Sequence, residues 1–172
     1  MLKDSSFLEM LLWNFVIIGI WHLLCYIACI RLPESTFDAS KNCYTAKPWE
    51  HGGQWYRDNL KINLWKDKLP QHIGKNDFSK RHLTSDSIDY LDHFIMETCR
   101  GEWVHMRNAL CAIITLLVNP FLVGIITALF ITIANIPFAV VQRYNRFRLQ
   151  ALRRRRQRSI RSHGMERKAV TA

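Results

Sequence analysis

The sequence lacks the compact motifs that mark several large classes of enzyme. No two of its seven histidines lie three or four residues apart, which excludes the histidine boxes of membrane di-iron hydroxylases and desaturases. Its five cysteines form no C-x-x-C pair, so a zinc ribbon is excluded. There is also no G-x-S-x-G turn to carry a serine nucleophile, and no internal repeat. Enzymatic chemistry must therefore come from dispersed polar residues, with no metal ligand set.

Net charge is absent from most of the chain. Residues 142–172 hold 11 of the 24 lysines and arginines and a single acid, whereas the first 141 residues sum to zero. Arginines directly after an apolar run typically mark the cytoplasmic side of a membrane, and they attract anionic headgroups. No nucleic-acid-binding module accompanies them. We therefore expect membrane lipids and not nucleic acid as partners, and we interpret residues 142–172 as a basic cytoplasmic tail.

The first of two long apolar runs covers residues 10–30 and contains no formal charge. A helix of this length spans about 31 Å, which matches one hydrocarbon core. We interpret residues 1–30 as a retained N-terminal transmembrane anchor. A cleaved secretory signal is the alternative, although the run is longer than the usual apolar region of about 7 to 15 residues.

The second apolar run, residues 109–141, is too long for one upright span. Asn119 and Pro120 are the predicted break, because proline lacks an amide donor and disfavours a helical residue before it. Residues 121–141 then form a transmembrane helix, and residues 87–118 form a helix that enters the membrane. The predicted fold class is mainly α, a small integral membrane protein with two to three transmembrane helices.

The topology depends on residues 103–118. If they cross the membrane, the central domain is cytoplasmic and the N-terminus is outside. If they form only a half-helix, both assignments reverse. We favour the crossing hairpin, because Arg31, Arg100 and Arg107 flank the central domain and basic residues typically lie on the cytoplasmic side.

Residues 31–86 are polar but rich in aromatic residues, including Trp49, Trp55, Tyr56 and Trp65. Tryptophan and tyrosine rings are favoured at the membrane–water interface, which predicts a short interfacial central domain. The alternative is a soluble loop domain with these rings as its core. Prolines and glycines leave room for only short elements in either case.

The segment METCRGEWVH, on the helix predicted to enter the membrane, holds the best candidates for chemistry. Glu102 and His105 are three residues apart, so the carboxylate can touch the imidazole and fix its tautomer. Glu97 and Arg100 lie on a second polar face. Ionisable residues at a membrane boundary usually face a cavity or one another, so all four are candidate catalytic residues. The alternative is a salt-bridge network that anchors the helix end.

Two other histidines are weaker candidates. His51 adjoins Glu50 and a glycine pair, which suits a mobile catalytic loop and an ordinary turn equally well. His72 and Asp77 match the H-x-x-x-x-D pattern of some glycerolipid acyltransferases, but this composition produces such a match easily by chance.

Six segments, in order, resemble the glycosyl-4,4'-diaponeurosporenoate acyltransferase family of staphyloxanthin-type carotenoid synthesis. They are RLPESTF, WEHGGQWY, LKINLWKDKLP, KRHL, ETCRGEWVH and NIPFAVVQRYNRFRL, within residues 31–149. IGKNDF and the long arginine run depart from the family pattern. The resemblance implies a bacterial cell-membrane enzyme that transfers a fatty acyl group onto a sugar hydroxyl of a glycosylated carotenoid or a related glycolipid.

Such a reaction needs a base for the hydroxyl proton and positive donors for the developing oxyanion. His105 oriented by Glu102 is the predicted base. Arg100, Arg81 or Lys80 is predicted to stabilise the oxyanion or to hold the phosphates of an acyl carrier. The resemblance implies an acyl donor such as acyl-CoA or acyl carrier protein, a lipophilic glycosylated acceptor, and no further cofactor. The predicted substrate-binding residues are Trp55, Trp65, Lys66, Lys80, Arg81, His82, Arg143 and Asn145. A non-catalytic membrane subunit and a glycolipid-binding accessory protein are the alternative functions.

Overall fold

The computed structural model describes residues 5–69 and 87–170, and the side chains of these as far as Ser162. The described part contains helices and no β-strand, so the mainly α prediction is confirmed. The α-helices are α1 (Phe7–Arg31), α2 (Gln54–Asp58), α3 (Ile88–Ala109), α4 (Cys111–Val118) and α5 (Phe121–Val170). Short 3-10 helices cover Glu34–Phe37, Pro48–Gly53, Ile62–Leu64 and Lys66–Lys68.

Two of these helices, α1 and α5, are long and apolar enough to cross a membrane. A capping box starts α1, because Ser6 accepts from the Glu9 amide at 3.4 Å and donates its own amide to the Glu9 carboxylate at 2.9 Å. The apolar part of α5 begins at Phe121, directly after the predicted break at Asn119 and Pro120. Large apolar side chains are exposed along α1 and on the part of α5 from Phe121 to Ile133, which indicates membrane association.

The chain divides into two compact units. The first unit comprises residues 1–36 and 100–142, and the second comprises residues 37–99 and 143–172.

The first unit is built on an antiparallel helical hairpin. Near its turn, a Cβ placed on Gly124 would lie 3.3 Å from Cα of Leu116, so the two backbones touch there. At the other end, a Cβ on Gly101 would lie 2.9 Å from Cδ of Gln142. Residues 100–118 therefore run alongside residues 121–142 over their whole length, with an interruption at Leu110 between α3 and α4.

α1 packs on this hairpin through a small apolar cluster and two polar contacts. The cluster joins Ile17, Ile18 and Trp21 to Cys111, Ala112, Ala128 and Ile131. Near the turn, the buried amides of Asn14 and Asn119 exchange two hydrogen bonds of 2.8 Å. Further along, the Trp21 indole donates to the Arg107 carbonyl at 2.9 Å. α1 therefore runs from the turn of the hairpin toward its Gly101–Gln142 end.

The second unit has its own apolar core. Leu91, Phe94 and Ile95 of α3 pack with Leu149 of α5, and Ala39, Tyr90 and Leu152 surround them. Tyr56 is buried beside Tyr144 and Phe147, whereas Trp49 is 51% exposed. The aromatic residues of the central segment therefore divide between core and surface.

Candidate functional site

A buried carboxylate organises the second unit. Glu50 is fully buried, and both of its oxygens accept hydrogen bonds. Arg143 donates from Nε to Oε1 at 2.5 Å and from Nη2 to Oε2 at 2.9 Å, while the Tyr56 hydroxyl reaches Oε1 at 2.5 Å. The amide of Lys47 completes the set with a bond of 2.6 Å to Oε2. This arrangement, the Glu50–Arg143 clamp, leaves the carboxylate no free position for proton transfer.

Arg143 also ties the clamp to the preceding loop. Its Nη1 donates to the carbonyl of Cys43 and its Nη2 to the carbonyl of Thr45, each at 3.0 Å. One side chain from α5 thus fixes residues 43–50 by contacts with two backbone carbonyls and one carboxylate. Bidentate arginine–carboxylate pairs combine strength with a defined orientation, so the clamp sets the direction in which the chain leaves Glu50.

The ionisation of the clamp follows from its contacts. Burial alone would raise the pKa of Glu50, but the hydrogen bonds from Arg143, Tyr56 and the Lys47 amide, with the charge of Arg143, hold that pKa below its usual value. Burial, reinforced by the adjacent Glu50 carboxylate, raises the pKa of Tyr56. Glu50 is therefore an anion and Tyr56 a neutral hydroxyl near neutral pH.

Directly after Glu50 the backbone enters the left-handed region for three residues in a row. His51 has φ 46°, Gly52 has φ 63° and Gly53 has φ 98°. Glycine adopts this region freely, but a residue with a Cβ pays for it in strain, and such strain concentrates at functional sites. A Cβ on Gly53 would also lie 3.1 Å from the Phe147 ring. The turn therefore presents an exposed, strained histidine.

His51 lines a cavity of about 700 Å³ within the second unit. Three arginines, Arg57, Arg148 and Arg155, share this lining with a set of polar and apolar residues. That set comprises Gly52, Gly53, Gln54, Phe94, Tyr144, Asn145, Phe147, Leu149, Ala151 and Leu152. A cavity of this size with a histidine, several cations and an apolar wall suits an amphipathic anionic ligand.

The comparisons with known proteins agree on one family. The family model for glycosyl-4,4'-diaponeurosporenoate acyltransferase matches residues 40–155. This chain belongs to that family. It is 32% identical over 126 residues to Staphylococcus aureus proteins of that name from strains MRSA252, bovine RF122 / ET3-1 and USA300. Each alignment covers 72% of this chain and 76% of the relative, and no solved structure matches.

Membership of the glycosyl-4,4'-diaponeurosporenoate acyltransferase family confirms the resemblance and makes the chain an acyltransferase. The two non-enzymatic interpretations lose their support. The matched residues contain both partners of the Glu50–Arg143 clamp and all of the cavity lining, whereas α1 lies outside them. The region of this acyltransferase that matches the family model therefore contains the whole candidate site.

The structure brings two of the predicted site residues, His51 and Asn145, together in the lining of the cavity. Arg143, predicted to bind substrate, binds Glu50 and two backbone carbonyls, and its role in substrate binding stays a prediction. Lys66 pairs with Asp67 at 2.7 Å, and the Trp65 indole donates to the Leu60 carbonyl at 2.9 Å.

Trp55 packs edge-on against Trp49, with ring centroids 5.1 Å apart. Neither Trp55, Trp65 nor Lys66 lines the cavity. Five candidates lie outside the described residues: His72, Asp77, Lys80, Arg81 and His82.

The predicted catalytic group on α3 divides between the two units. Glu97 belongs to the second unit, whereas Arg100, Glu102 and His105 belong to the first. His105 is half-buried, stacks on Phe138 with ring centroids 4.9 Å apart, and lies 3.3 Å from Oδ1 of Asn135 through Nδ1. The contact between Glu102 and His105 stays a prediction.

The sequence does not predict the Glu50–Arg143 clamp or the packing of part of the basic segment. It indicates Glu50 only as a neighbour of His51, and nothing in the spacing marks Arg143 as its partner, 93 residues away. Arg146 is fully buried, with Nη1 3.5 Å from the Cys99 sulfur and its guanidinium over the Tyr44 ring, and Arg153 binds Asp92. Attraction to membrane lipids alone therefore does not account for these arginines.

Within the described residues, no group of three or more histidine, cysteine, aspartate or glutamate side chains could hold a metal ion.

Proposed function

We propose that the protein transfers a fatty acyl group onto a sugar hydroxyl of a glycosylated carotenoid or a related glycolipid, with His51 as the base. The observation that carries this proposal is the position of His51 on the wall of a cavity that combines arginines with apolar side chains. The relatives named above carry this acceptor class in their name. The expected donor is a fatty acyl thioester, and no additional cofactor is invoked.

In the proposed reaction, the imidazole of His51 removes the proton of the acceptor hydroxyl as its oxygen bonds to the thioester carbonyl carbon. The carbonyl oxygen gains negative charge, which the side-chain amide of Asn145 in the cavity wall stabilises. The carbon–sulfur bond then breaks, and the leaving thiolate takes the proton from the imidazolium. The ester and the free thiol are the products, and His51 returns to its neutral form.

Glu50 is assigned to positioning and not to proton transfer. Both of its oxygens are occupied by Arg143, Tyr56 and the Lys47 amide. The clamp holds the residue before His51, and this contact supports the left-handed turn that directs the imidazole to the cavity wall. A base held by a locked neighbour loses less entropy on reaching the reactive geometry.

His105 oriented by Glu102 is the second candidate base. Its support is its half-buried position beside Asn135 and Phe138 in the first unit. The two candidates are separable by substitution, because they lie on different segments and their variants should not compensate for each other.

The test compares lipid extracts by mass for an acyl increment on the glycolipid acceptor. Cells carrying the wild-type protein should show the increment, and cells with His51→Gln should lose it by a factor of about 100 or more. His22→Gln, the same substitution in α1, is the matched control and should keep it. If His51→Gln keeps the increment and His105→Gln loses it, the base is His105. If the wild-type chain produces no increment, the proposed reaction is wrong.

We also propose a three-span topology with the C-terminus and residues 37–99 on the cytoplasmic side. The hairpin supports it, because residues 100–118 would span about 27 Å beside α5, close to one hydrocarbon core. The direction of α1 supports an external N-terminus. The arginines after Gln142 support the cytoplasmic assignment.

Cys43 offers the test of this topology, because it is exposed while Cys25, Cys29, Cys99 and Cys111 are buried. A membrane-impermeant maleimide should label Cys43 only after cell lysis. A Cys43→Ser variant gives the background for the four buried thiols. Labelling of Cys43 in intact cells would overturn the arrangement.

A further inference from the structure

Five of the nine arginines in residues 143–162 fall into two groups. Arg143, Arg146 and Arg153 are committed to contacts inside the second unit, with Glu50, with Tyr44 and Cys99, and with Asp92 respectively. Arg148 and Arg155 are exposed and line the cavity that contains His51. The first group stabilises the unit, whereas the second group leaves its guanidinium groups available to a ligand.

Arg148 and Arg155 present their charges along one line. They are seven residues apart, two helical turns on the same face of α5, which separates them by about 10 Å. Arg57 adds a third exposed cation from α2. Arg148 lies over the Tyr144 ring at 6.0 Å, a contact that restricts its guanidinium.

No carboxylate offsets these charges in the cavity. The described residues that line it include no aspartate or glutamate, and no ion pair joins Arg57, Arg148 or Arg155 to an acid within the described part of the chain. Three cations without a counter-charge attract an anion, and guanidinium groups bind phosphate oxygens in a bidentate geometry.

The rest of the lining limits what the anion is attached to. Phe94, Phe147 and Leu149 are buried side chains of the cavity wall, and Leu152 continues the apolar surface. A free inorganic anion would not use this surface. A ligand that joins a phosphate to a flexible, less polar arm would contact both the arginines and the apolar wall of the cavity. It would also bring the end of its arm toward His51.

We infer that the cavity binds the phosphate of a phosphopantetheine thioester, the acyl donor, through Arg57, Arg148 and Arg155. This inference rests on the proposed function, since it names the donor of that reaction. Coenzyme A and the prosthetic group of an acyl carrier protein share this chemistry. Both carry the pantetheine arm on a phosphate, and both release a thiol when the acyl group leaves.

The first experiment measures binding of coenzyme A to the full-length protein in detergent by calorimetry. Arg148→Gln/Arg155→Gln should weaken binding on the order of 100-fold, because two charge-assisted phosphate contacts are lost. Arg154→Gln/Arg158→Gln removes the same charge from exposed positions of α5 outside this cavity and should change affinity less than about 3-fold. Equal losses in the two double variants, or no binding to the wild-type protein, would overturn the inference.

The second experiment distinguishes the two sources of the phosphate. Pantetheine 4'-phosphate and adenosine 3',5'-bisphosphate are tested separately as competitors of coenzyme A. Competition by the first alone indicates that the prosthetic group of a carrier protein is sufficient. Competition by the second as well indicates that the cavity also contacts the nucleotide of coenzyme A. If neither competes at millimolar concentration, the phosphate assignment is wrong.

The third experiment separates this inference from the proposed function. Turnover is measured with an acyl-CoA donor and with an acyl N-acetylcysteamine thioester, which lacks phosphate. Arg148→Gln/Arg155→Gln should raise KM for acyl-CoA with little change in kcat, and should transfer from the phosphate-free donor as the wild-type enzyme does. Equal losses with both donors would reject a phosphate role. Failure of the wild-type protein with both donors would instead reject the proposed reaction.

Discussion

In the first unit, Asn14 and Asn119 bury two neutral amides and exchange hydrogen bonds of 2.8 Å across 105 residues of chain. In the second unit, Glu50 and Arg143 bury a charged pair across 93 residues. An ion pair in hydrocarbon pays a large desolvation cost, which neutral amides avoid. The difference indicates that the first unit is adapted to lipid and the second to a more polar setting.

The two histidines follow the same division. His105 of the first unit stacks on an aromatic ring and meets an amide oxygen, which are neutral contacts. His51 of the second unit stands at a cavity rich in arginine. The proposed acyl transfer fits the second setting better, because the arginines there can bind the phosphate of a charged donor.

The largest expected effect comes from breaking the charged pair. Glu50→Ala leaves the Arg143 guanidinium, whose side chain is only 13% exposed, with two backbone carbonyls and no carboxylate, and should destabilise the second unit by about 3 kcal/mol. Thermal unfolding in detergent measures the change. Asp67→Ala, which breaks the exposed Lys66–Asp67 pair, is the control and should cost less than about 1 kcal/mol. Similar costs for the two variants would show that the clamp is no stronger than a surface pair.

The next effect concerns the turn that the clamp supports. Gly53→Ala places a methyl group at φ 98° and 3.1 Å from the Phe147 ring, which should cost about 1–3 kcal/mol and lower turnover. Gly52→Ala shares the positive φ but meets no atom within 4 Å, so about 1 kcal/mol is expected. Unfolding and lipid acylation are measured together. Equal effects of the two variants would contradict a role for the contact with Phe147.

The neutral pair should be weaker than the charged one. Asn14→Leu removes both hydrogen bonds between the two amides, leaving Asn119 only its bond to the Thr115 carbonyl, and should cost about 1–2 kcal/mol. Asn14→Leu/Asn119→Leu should cost less than the sum of the two single variants. Stability toward denaturant in detergent provides the measurement. Thr127→Val, which removes a hydroxyl bonded to its own helix at Val123, is the control. Additive costs in the double variant would mean that the amides do not act as a pair.

The smallest effect is the response to pH. The pKa of Glu50 is lower in the folded protein than its usual value of about 4.3, so the ionised form favours folding. This contribution is complete above about pH 4.3 and is lost as the pH falls toward the folded pKa. Thermal unfolding between pH 7 and pH 3.5 should show a shallower loss of stability in Glu50→Gln than in the wild-type protein. Parallel curves would exclude Glu50 as a source of acid sensitivity.

The sequence predicts the helices of the first unit well because apolar runs and proline act locally. The break at Asn119 and Pro120 follows from the chemistry of proline alone, and the start of α3 follows from helical spacing after Ser87. The Glu50–Arg143 clamp could not be predicted in this way. Its partners are far apart in sequence, and α5 continues as one helix to Val170 through a segment whose charge suggested only a tail.

The candidate site was predicted in part for the same reason. WEHGG marks a turn locally, so His51 could be proposed, and the family resemblance marked Asn145. The role of Arg143 depends on which carboxylate the fold brings to it, and spacing carries no information on that pairing. The sequence alone also does not show that the face of α5 with Arg148 and Arg155 is exposed. That follows only from the packing of the opposite face within the second unit.

The hairpin also has a consequence for biosynthesis. Residues 100–118 carry Arg100, Glu102, His105 and Arg107 in their first half. A charged residue raises the cost of insertion by the translocon by about 2.5–3.5 kcal/mol at the centre of a span and by less toward its edge, so Arg107 should contribute most. Residues 100–118 by themselves would therefore insert into the bilayer inefficiently. Residues 121–142 contain no charge and supply Asn135 and close helix contact. In the proposed topology, we expect residues 100–118 to remain in the translocon until residues 121–142 are synthesised. The two segments then enter the bilayer together.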